Sequence, residues 1–139
     1  MTAQLLKIQR QFHSKQAKRV LLIEDNDVNR MLLTDYLIYC NYNVQSLSEA
    51  ANFFLKVEQF QPELILLDLK LPDIDGYSLL QEIQHQPNIS KIPIIVVSAF
   101  AFKKDEEKAL SLGARRYFVK PVNLNHLTLA IEEELTCHH

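Results

Sequence analysis

Three carboxylates, one hydroxyl and one amine each follow a short apolar run of this sequence. The pair Glu24 and Asp25 closes the first run, Asp68 the third, Ser98 the fourth and Lys120 the fifth. Apolar runs of this kind are typical of strands buried on both faces. Because open α/β sheets carry their sites beyond the carboxyl ends of the strands, we predict that these side chains lie close together.

This set of residue types indicates chemistry with a cation and an anion. Three carboxylates in one place repel one another unless protons or a cation neutralise them. An oxygen-rich site suits a hard divalent ion, most naturally Mg²⁺, which binds through few carboxylates and keeps several waters. Lys120 adds a fixed positive charge, so a phosphate would meet the metal, the ammonium and the Ser98 hydroxyl together. An aspartate carboxylate is a known nucleophile for phosphoryl transfer.

The elements that would position these residues alternate along the chain. Hydrophobic periodicity predicts five strands and five helices. The strands are predicted at 20–24, 42–47, 63–68, 94–98 and 115–119, and the helices around 32–40, 50–57, 79–83, 103–112 and 124–135. Such alternation implies right-handed crossovers and a parallel sheet covered by helices on both faces, which is an α/β doubly wound fold.

Local signals mark the ends of two predicted helices. Asn41 tolerates the left-handed backbone that ends a helix, so the first helix is predicted to end there. Asn26 or Asp27 is predicted to cap its start, with Asp27 as a secondary candidate for the metal. Ser46 and Glu49 have the spacing of a capping box before the second helix.

Composition excludes several classes of protein. The chain has 139 residues, which suits one domain, and 47% of them are apolar, enough for a core. A net charge of −2 does not favour a nucleic-acid-binding protein. Cys40 and Cys137 have no spacing that suggests a metal clip or a disulfide framework, so we expect a cytoplasmic protein. No signal peptide and no long apolar span occur, so we expect no membrane association.

The two ends differ in character from the middle of the chain. Residues 1–19 carry basic but no acidic residues, and their apolar residues fall at i, i+3 and i+7. This leader forms either a short amphipathic helix or a loosely ordered segment. We assign residues 20–135 to the main domain and 136–139 to a tail, whose final two histidines are consistent with a tag remnant.

Four segments carry a resemblance to a known family. In order and spacing, LLIEDNDVNR, LILLDLKLPDIDG, IIVVSAFA and YFVKP resemble the receiver domain of two-component response regulators, the CheY-like phosphoaspartate switch. The resemblance spans residues 20–135, nearly the whole chain. It implies a flavodoxin-like (βα)5 fold with a five-stranded parallel sheet in the order 2-1-3-4-5.

The resemblance also implies a role for each residue of the site. It makes Asp68 the phosphoacceptor and a Mg²⁺ ligand, Asp25 a direct ligand, Glu24 a water-mediated ligand, the Lys70 backbone carbonyl a further ligand, Ser98 the switch hydroxyl, Lys120 the partner of a phosphoryl oxygen and Tyr117 the aromatic switch. The Lys120–Pro121 bond is expected to be cis. Lys70 and Phe100 take the positions that tune dephosphorylation; neither can orient a water, so we expect a long phosphoryl lifetime.

The implied function is a signalling switch and not an enzyme that acts on small molecules. The phosphohistidine of a histidine kinase or of a histidine phosphotransfer protein would be the donor. The surface of 103–135 would bind a downstream protein, and no DNA partner is expected. The domain would be a monomer or a phosphorylation-linked dimer.

Three other interpretations follow from the same residues. Because no output domain follows, we expect a stand-alone regulator, with a receiver cut from a hybrid histidine kinase as the alternative. A non-phosphorylated scaffold is a second alternative, which the complete set of site residues disfavours. A flavodoxin-type cofactor binder is disfavoured because the acidic segment EDNDVNR would repel a cofactor phosphate, and two glycines are too few for a nucleotide loop.

Overall fold

The computed structural model describes residues 17–136, which form five strands and five helices in alternation. The strands are β1 (Arg19–Ile23), β2 (Asn43–Leu47), β3 (Leu64–Leu67), β4 (Ile94–Ser98) and β5 (Arg116–Val119). The helices are α1 (Asp27–Tyr39), α2 (Phe53–Phe60), α3 (Gly76–Gln84), α4 (Lys103–Ser111) and α5 (Leu124–Thr136). Each predicted strand and helix is present.

The five strands form one parallel sheet in the order β2-β1-β3-β4-β5. This order confirms the flavodoxin-like doubly wound fold. Ile23 pairs with Leu67, and Leu67 pairs with Val96, so the central strands end close together. Every residue of β3 and β4 is buried, because helices cover both faces of the sheet. The edge strands β2 and β5 have no fully buried residue, which fits their weaker apolar patterns.

Two apolar layers hold the helices against the sheet. One layer joins α1 and α5 to one face, and the other joins α2, α3 and α4 to the opposite face. The helix residues that are buried in these layers include Leu33, Leu37, Leu127 and Ile131 on the first face and Phe53, Val57, Leu80, Ile83 and Ala109 on the second. Full burial of a Leu or Phe side chain stabilises the fold by about 1.5–3 kcal/mol.

Helix α1 confirms two predictions about its ends. The Asn26 side chain accepts a hydrogen bond from the Asn29 amide at 2.9 Å, so Asn26 is the cap. Asn41, with φ of 72°, lies in the left-handed region just after the helix. Leu32 also fits the helical spacing of the apolar residues in this segment, yet it is 59% exposed. The helix carries a buried apolar stripe and a second apolar stripe on its outer side, and sequence periodicity merged the two.

The capping box predicted before α2 is wrong. Ser46 is part of β2 and pairs with Leu22 of β1, so it does not precede a helix. The helix begins at Phe53, after Asn52, whose side chain makes no capping hydrogen bond. Strand pairing with β1 outweighs the local preference of Ser46 for a helix start.

The described chain begins two residues before β1 and ends with α5. Lys18 precedes β1, and Arg19 pairs with Asn43 of the edge strand. The predicted leader helix and the last three residues of the tail lie outside the described residues. Within 17–136, no helix combines the length and the apolar character needed to cross a bilayer.

Candidate functional site

The predicted site residues meet at the carboxyl edge of the sheet. Glu24 and Asp68 directly follow the paired ends of β1 and β3, and Ser98 is the last residue of β4. All three are buried, at 1%, 5% and 0% exposure. Burial of polar groups is costly without partners, so each of these side chains must be satisfied from within the site.

Three carboxylates form the acidic part of the site. Glu24, Asp25 and Asp68 each offer one oxygen, and these oxygens lie within 4.8 Å of one another. Asp25 is exposed, so the cluster opens to solvent on that side. All donors are hard oxygens, as Mg²⁺ requires. The residues therefore fit a divalent cation with water ligands on the open side.

Lys120 closes the site from the end of β5. Its Nζ donates to Glu24 Oε1 at 2.6 Å and to Asp68 Oδ2 at 3.0 Å. Burial of the ammonium opposes its charge, but the hydrogen bonds to the two carboxylates outweigh this and raise the pKa of Lys120. Lys120 therefore stays charged and ties two acidic residues from different strands together.

Burial makes the negative charge of Glu24 costly. Burial raises its pKa, the hydrogen bonds from Lys120 and from the Asn26 amide lower it, and the neighbouring Asp68 raises it again. The net pKa of Glu24 lies above its ordinary value. One ammonium thus does not fully compensate two buried carboxylates. A divalent cation beside Asp25 would supply the missing positive charge.

The hydroxyl side of the site is built from β4, β5 and the segment between β4 and α4. Ser98 Oγ accepts a hydrogen bond from the Phe100 amide at 3.1 Å, and the Tyr117 hydroxyl donates to the Phe100 carbonyl at 2.7 Å. Burial raises the pKa of Tyr117, and the nearby Ser98 side chain partly offsets this effect. Phe100 thus contacts both predicted switch residues through its backbone.

The segment after β3 holds Asp68 from the other side. The Lys70 amide donates to Asp68 Oδ1 at 3.1 Å, so both carboxylate oxygens have a partner. After Leu69 the chain folds back on itself, because the Gly76 amide donates a hydrogen bond to the Leu69 carbonyl at 2.9 Å. A Cβ at Gly76 would collide with the Leu69 backbone, so only glycine permits this approach. The role of the Lys70 carbonyl as a metal ligand stays a prediction.

The structure brings together all five residues at the strand ends, and it places Asp27 elsewhere. In the described part of the chain, the carboxylate cluster contains Glu24, Asp25 and Asp68 without Asp27. Asp27 instead accepts a hydrogen bond from Arg30 Nη2 at 2.6 Å. The i, i+3 spacing of this pair was a usable sequence signal.

Sequence reasoning also missed two long side chains beside the site. Arg30 donates to the Glu24 carbonyl at 2.9 Å. Tyr77 donates to Asp105 Oδ1 at 3.3 Å and links α3 to α4. The Lys120–Pro121 bond is cis, as predicted.

A family model and proteins of similar sequence match this chain. The model of the response regulator receiver domain matches residues 20–132. The polar-differentiation response regulator DivK of Brucella anthropi is 29% identical over 118 residues, which cover 85% of this chain and 96% of that protein. The chain therefore belongs to the response regulator receiver family, whose members act in two-component signalling.

Solved structures agree with this assignment. A CheY-like receiver domain from Methanospirillum hungatei has a TM-score of 0.78 at 29% identity and covers 86% of this chain and 94% of its own. The receiver domain of a sensor histidine kinase from Pseudomonas aeruginosa has a TM-score of 0.79 at 30% identity, with 87% and 99% covered. That structure contains a magnesium ion coordinated in its active site cleft.

Proposed function

We propose that this domain accepts a phosphoryl group on Asp68 from a phosphohistidine, with Mg²⁺ held by Glu24, Asp25, Asp68 and the Lys70 carbonyl. The observation that carries this proposal is the contact of Lys120 with both buried carboxylates next to the exposed Asp25. The domain is a phosphoacceptor that assists its own modification, and not an enzyme for small molecules.

The transfer exchanges one bond to phosphorus for another. An Asp68 oxygen attacks the phosphorus, the bond between phosphorus and the imidazole nitrogen breaks, and its electron pair returns to the donor histidine. Mg²⁺, when bound, supplies positive charge beside the transferring oxygens. Lys120 and the Lys70 amide fix the orientation of the carboxylate before the reaction. After transfer, Lys120 pairs with a phosphoryl oxygen.

The phosphoryl group then acts through Ser98 and Tyr117. Ser98 Oγ, which accepts from the Phe100 amide, turns to donate to a phosphoryl oxygen. This frees the Phe100 segment to settle around the inward Tyr117, whose hydroxyl bonds the Phe100 carbonyl. A nearly complete shift between two states takes roughly 5 kcal/mol of differential interaction. Charge-assisted hydrogen bonds from Lys120 and Ser98 support a shift of this size, read out on α4, β5 and α5.

Hydrolysis of the acyl phosphate is expected to be slow. Phe100 is half-buried and packs on the core beside the site, where it shields the acceptor. Neither Phe100 nor Lys70 carries a carboxamide or carboxylate to orient an attacking water. Fast self-hydrolysis that slows on Phe100→Glu would contradict this part of the proposal.

The outer side of α1 supports docking of the donor protein. Its exposed apolar residues form a stripe on one side of the helix: Val28, Met31, Leu32, Ile38 and Tyr39. A groove of about 460 Å³ continues from Leu32 past Pro121 to Glu24 and Lys120. An apolar face that leads to Glu24 and Lys120, beside Asp68, suits a histidine kinase or a histidine phosphotransfer protein.

The first test is the intact mass of the protein after incubation with Mg²⁺ and acetyl phosphate. We expect a gain of one phosphoryl group in the wild type that is lost without Mg²⁺ and in Asp68→Asn. Asp35→Asn, on the exposed side of α1, is the matched control and keeps the gain. A wild type that gains no mass and binds no beryllofluoride would favour the scaffold interpretation.

A further inference from the structure

The segment that carries the acidic pair is fastened by one arginine. Arg30 Nη1 donates to the Glu24 carbonyl at 2.9 Å and to the Asp25 carbonyl at 3.4 Å. Its Nη2 donates to Asp27 Oδ1 at 2.6 Å. The guanidinium therefore contacts two of the three residues between β1 and α1, and also the first residue of α1. Only 22% of the Arg30 side chain is exposed, so this arrangement is well packed.

The three carboxylates of the site are held to different degrees. Glu24 is fixed by Lys120 and by the Asn26 amide, and Asp68 by Lys120 and the Lys70 amide. Asp25 is exposed, and Arg30 reaches it through the backbone carbonyl. The direction of the Asp25 side chain therefore depends on the backbone that Arg30 holds.

We propose that Arg30 is a positioning residue of the metal site. This inference rests on the proposed binding of Mg²⁺ at that site. By holding the backbone carbonyls of Glu24 and Asp25, Arg30 preorganises the two side chains for binding of the cation. Groups that orient ligands in this way typically change metal affinity about 10–100-fold. The planar guanidinium reaches several acceptors at once, which a lysine ammonium cannot reproduce.

Charge alone predicts the opposite effect, which makes the proposal testable. Arg30 is a cation close to an acidic cluster, so its removal by Arg30→Met should strengthen the attraction for Mg²⁺ on electrostatic grounds. Positioning predicts weaker binding in the same variant. The sign of the change therefore separates the two roles.

The experiment is a Mg²⁺ titration of the full chain, followed by the amide NMR shifts of residues 24–27 and 68–70. We expect the dissociation constant for Mg²⁺ to rise about 10-fold in Arg30→Met and by less in Arg30→Lys. Lys91→Met, which removes an exposed charge before β4, is the control and should match the wild type. Thermal unfolding without Mg²⁺ checks that each variant is folded.

Each outcome bears on one of the two proposals. If Arg30→Met binds Mg²⁺ as tightly as the wild type or more tightly, Arg30 does not position the site, while the proposed function stands. If Arg30→Met does not fold, Arg30→Lys decides, because wild-type affinity in that variant overturns the proposal. A wild type that binds no Mg²⁺ overturns both.

Discussion

Helices α1 and α4 both flank the site, yet they are attached to the molecule in different ways. Helix α1 buries Leu33 and Leu37 and is capped by the Asn26 side chain. Helix α4 has Ala109 as its one buried residue within the described chain. The first helix is thus anchored by large apolar side chains, and the second rests on a small one.

The outer sides of the two helices differ as well. Most exposed residues of α4 are charged, whereas α1 exposes an apolar stripe. Helix α4 is tied to α3 by polar contacts: the Tyr77 hydroxyl donates to Asp105 Oδ1 at 3.3 Å, and Lys108 Nζ lies 4.3 Å from the Tyr77 ring centre. Such polar contacts stabilise a helix less than the burial of large apolar side chains. The difference indicates that α1 is firmly anchored, as the proposed docking surface requires, and that α4 is the element better suited to move.

The largest effect is expected where α1 is anchored. Leu37→Ala should lower the free energy of unfolding by about 2–5 kcal/mol, because it leaves a cavity beneath a side chain with 0% exposure. Its neighbour Ile38 is 50% exposed, so Ile38→Ala should stay within about 0.5 kcal/mol. Urea unfolding of both variants measures the difference. Equal losses would show that α1 is not anchored through its inner face.

The next prediction concerns pH, which should act on the segment before α1. The pKa of Glu24 is raised in the folded protein above its ordinary value of 4.5. The folded protein therefore keeps the Glu24 proton to a higher pH than the unfolded chain does. Without divalent cations, this group therefore lowers stability as the pH rises from about 4.5 through its folded-state pKa. Glu24→Gln should remove that decline in urea unfolding between pH 4 and about 7. A steeper decline in the variant would contradict the sign.

A smaller effect is expected where α4 is tied to α3. Tyr77→Phe removes one hydroxyl and its hydrogen bond, which is worth about 1 kcal/mol, and keeps the packed ring. Hydrogen exchange of the amides in 102–109 should then speed up about fivefold, with α1 unchanged. Burial is the main cause that raises the pKa of Tyr77 to about 12, with Asp105 adding to it, so the hydroxyl keeps its proton at neutral pH. Unchanged exchange in α4 would mean that this link does not hold the helix.

The smallest effect on stability is expected at the exposed apolar stripe of α1. Leu32→Ser should change the free energy of unfolding by no more than about 0.5 kcal/mol, since Leu32 is 59% exposed. Phosphorylation by acetyl phosphate should be unchanged, and transfer from a cognate phosphohistidine protein should slow. Leu110→Ser, at an exposed leucine of α4, is the matched control with normal transfer. Equal slowing in both would argue against donor docking on α1.

The sequence was most informative where one physical rule determines position. Parallel strands end at the same edge, so Asp68, Ser98 and Lys120 could be placed together from their apolar neighbours alone. The cap at Asn26 was predictable for a similar reason, since it depends only on nearby backbone. The strand order came from the resemblance, because composition does not decide which strands pair.

The sequence was less informative where the types of neighbouring residues do not decide the position of a side chain. Ser46 has the local chemistry of a helix start, but pairing with Leu22 places it in a strand. Leu32 fits the helical spacing of the buried residues of α1, but its position around the helix axis leaves its side chain exposed. The contacts of Arg30 with two carbonyls depend on how a flexible side chain folds back. The pattern of residue types does not show which backbone atoms such a side chain will contact.

The close packing of Gly76 on Leu69 has a consequence for how this protein tolerates change. The connection between Asp68, the proposed phosphoacceptor, and α3 has no spare room at this point, so even one methyl group must displace the Leu69 backbone. Movement of Leu69 would carry along its neighbours Asp68 and Lys70. A substitution outside the site can therefore displace the carboxylate of Asp68. If Asp68 is the phosphoacceptor, the tolerance of Gly76 to substitution is set by a residue eight positions earlier in the chain.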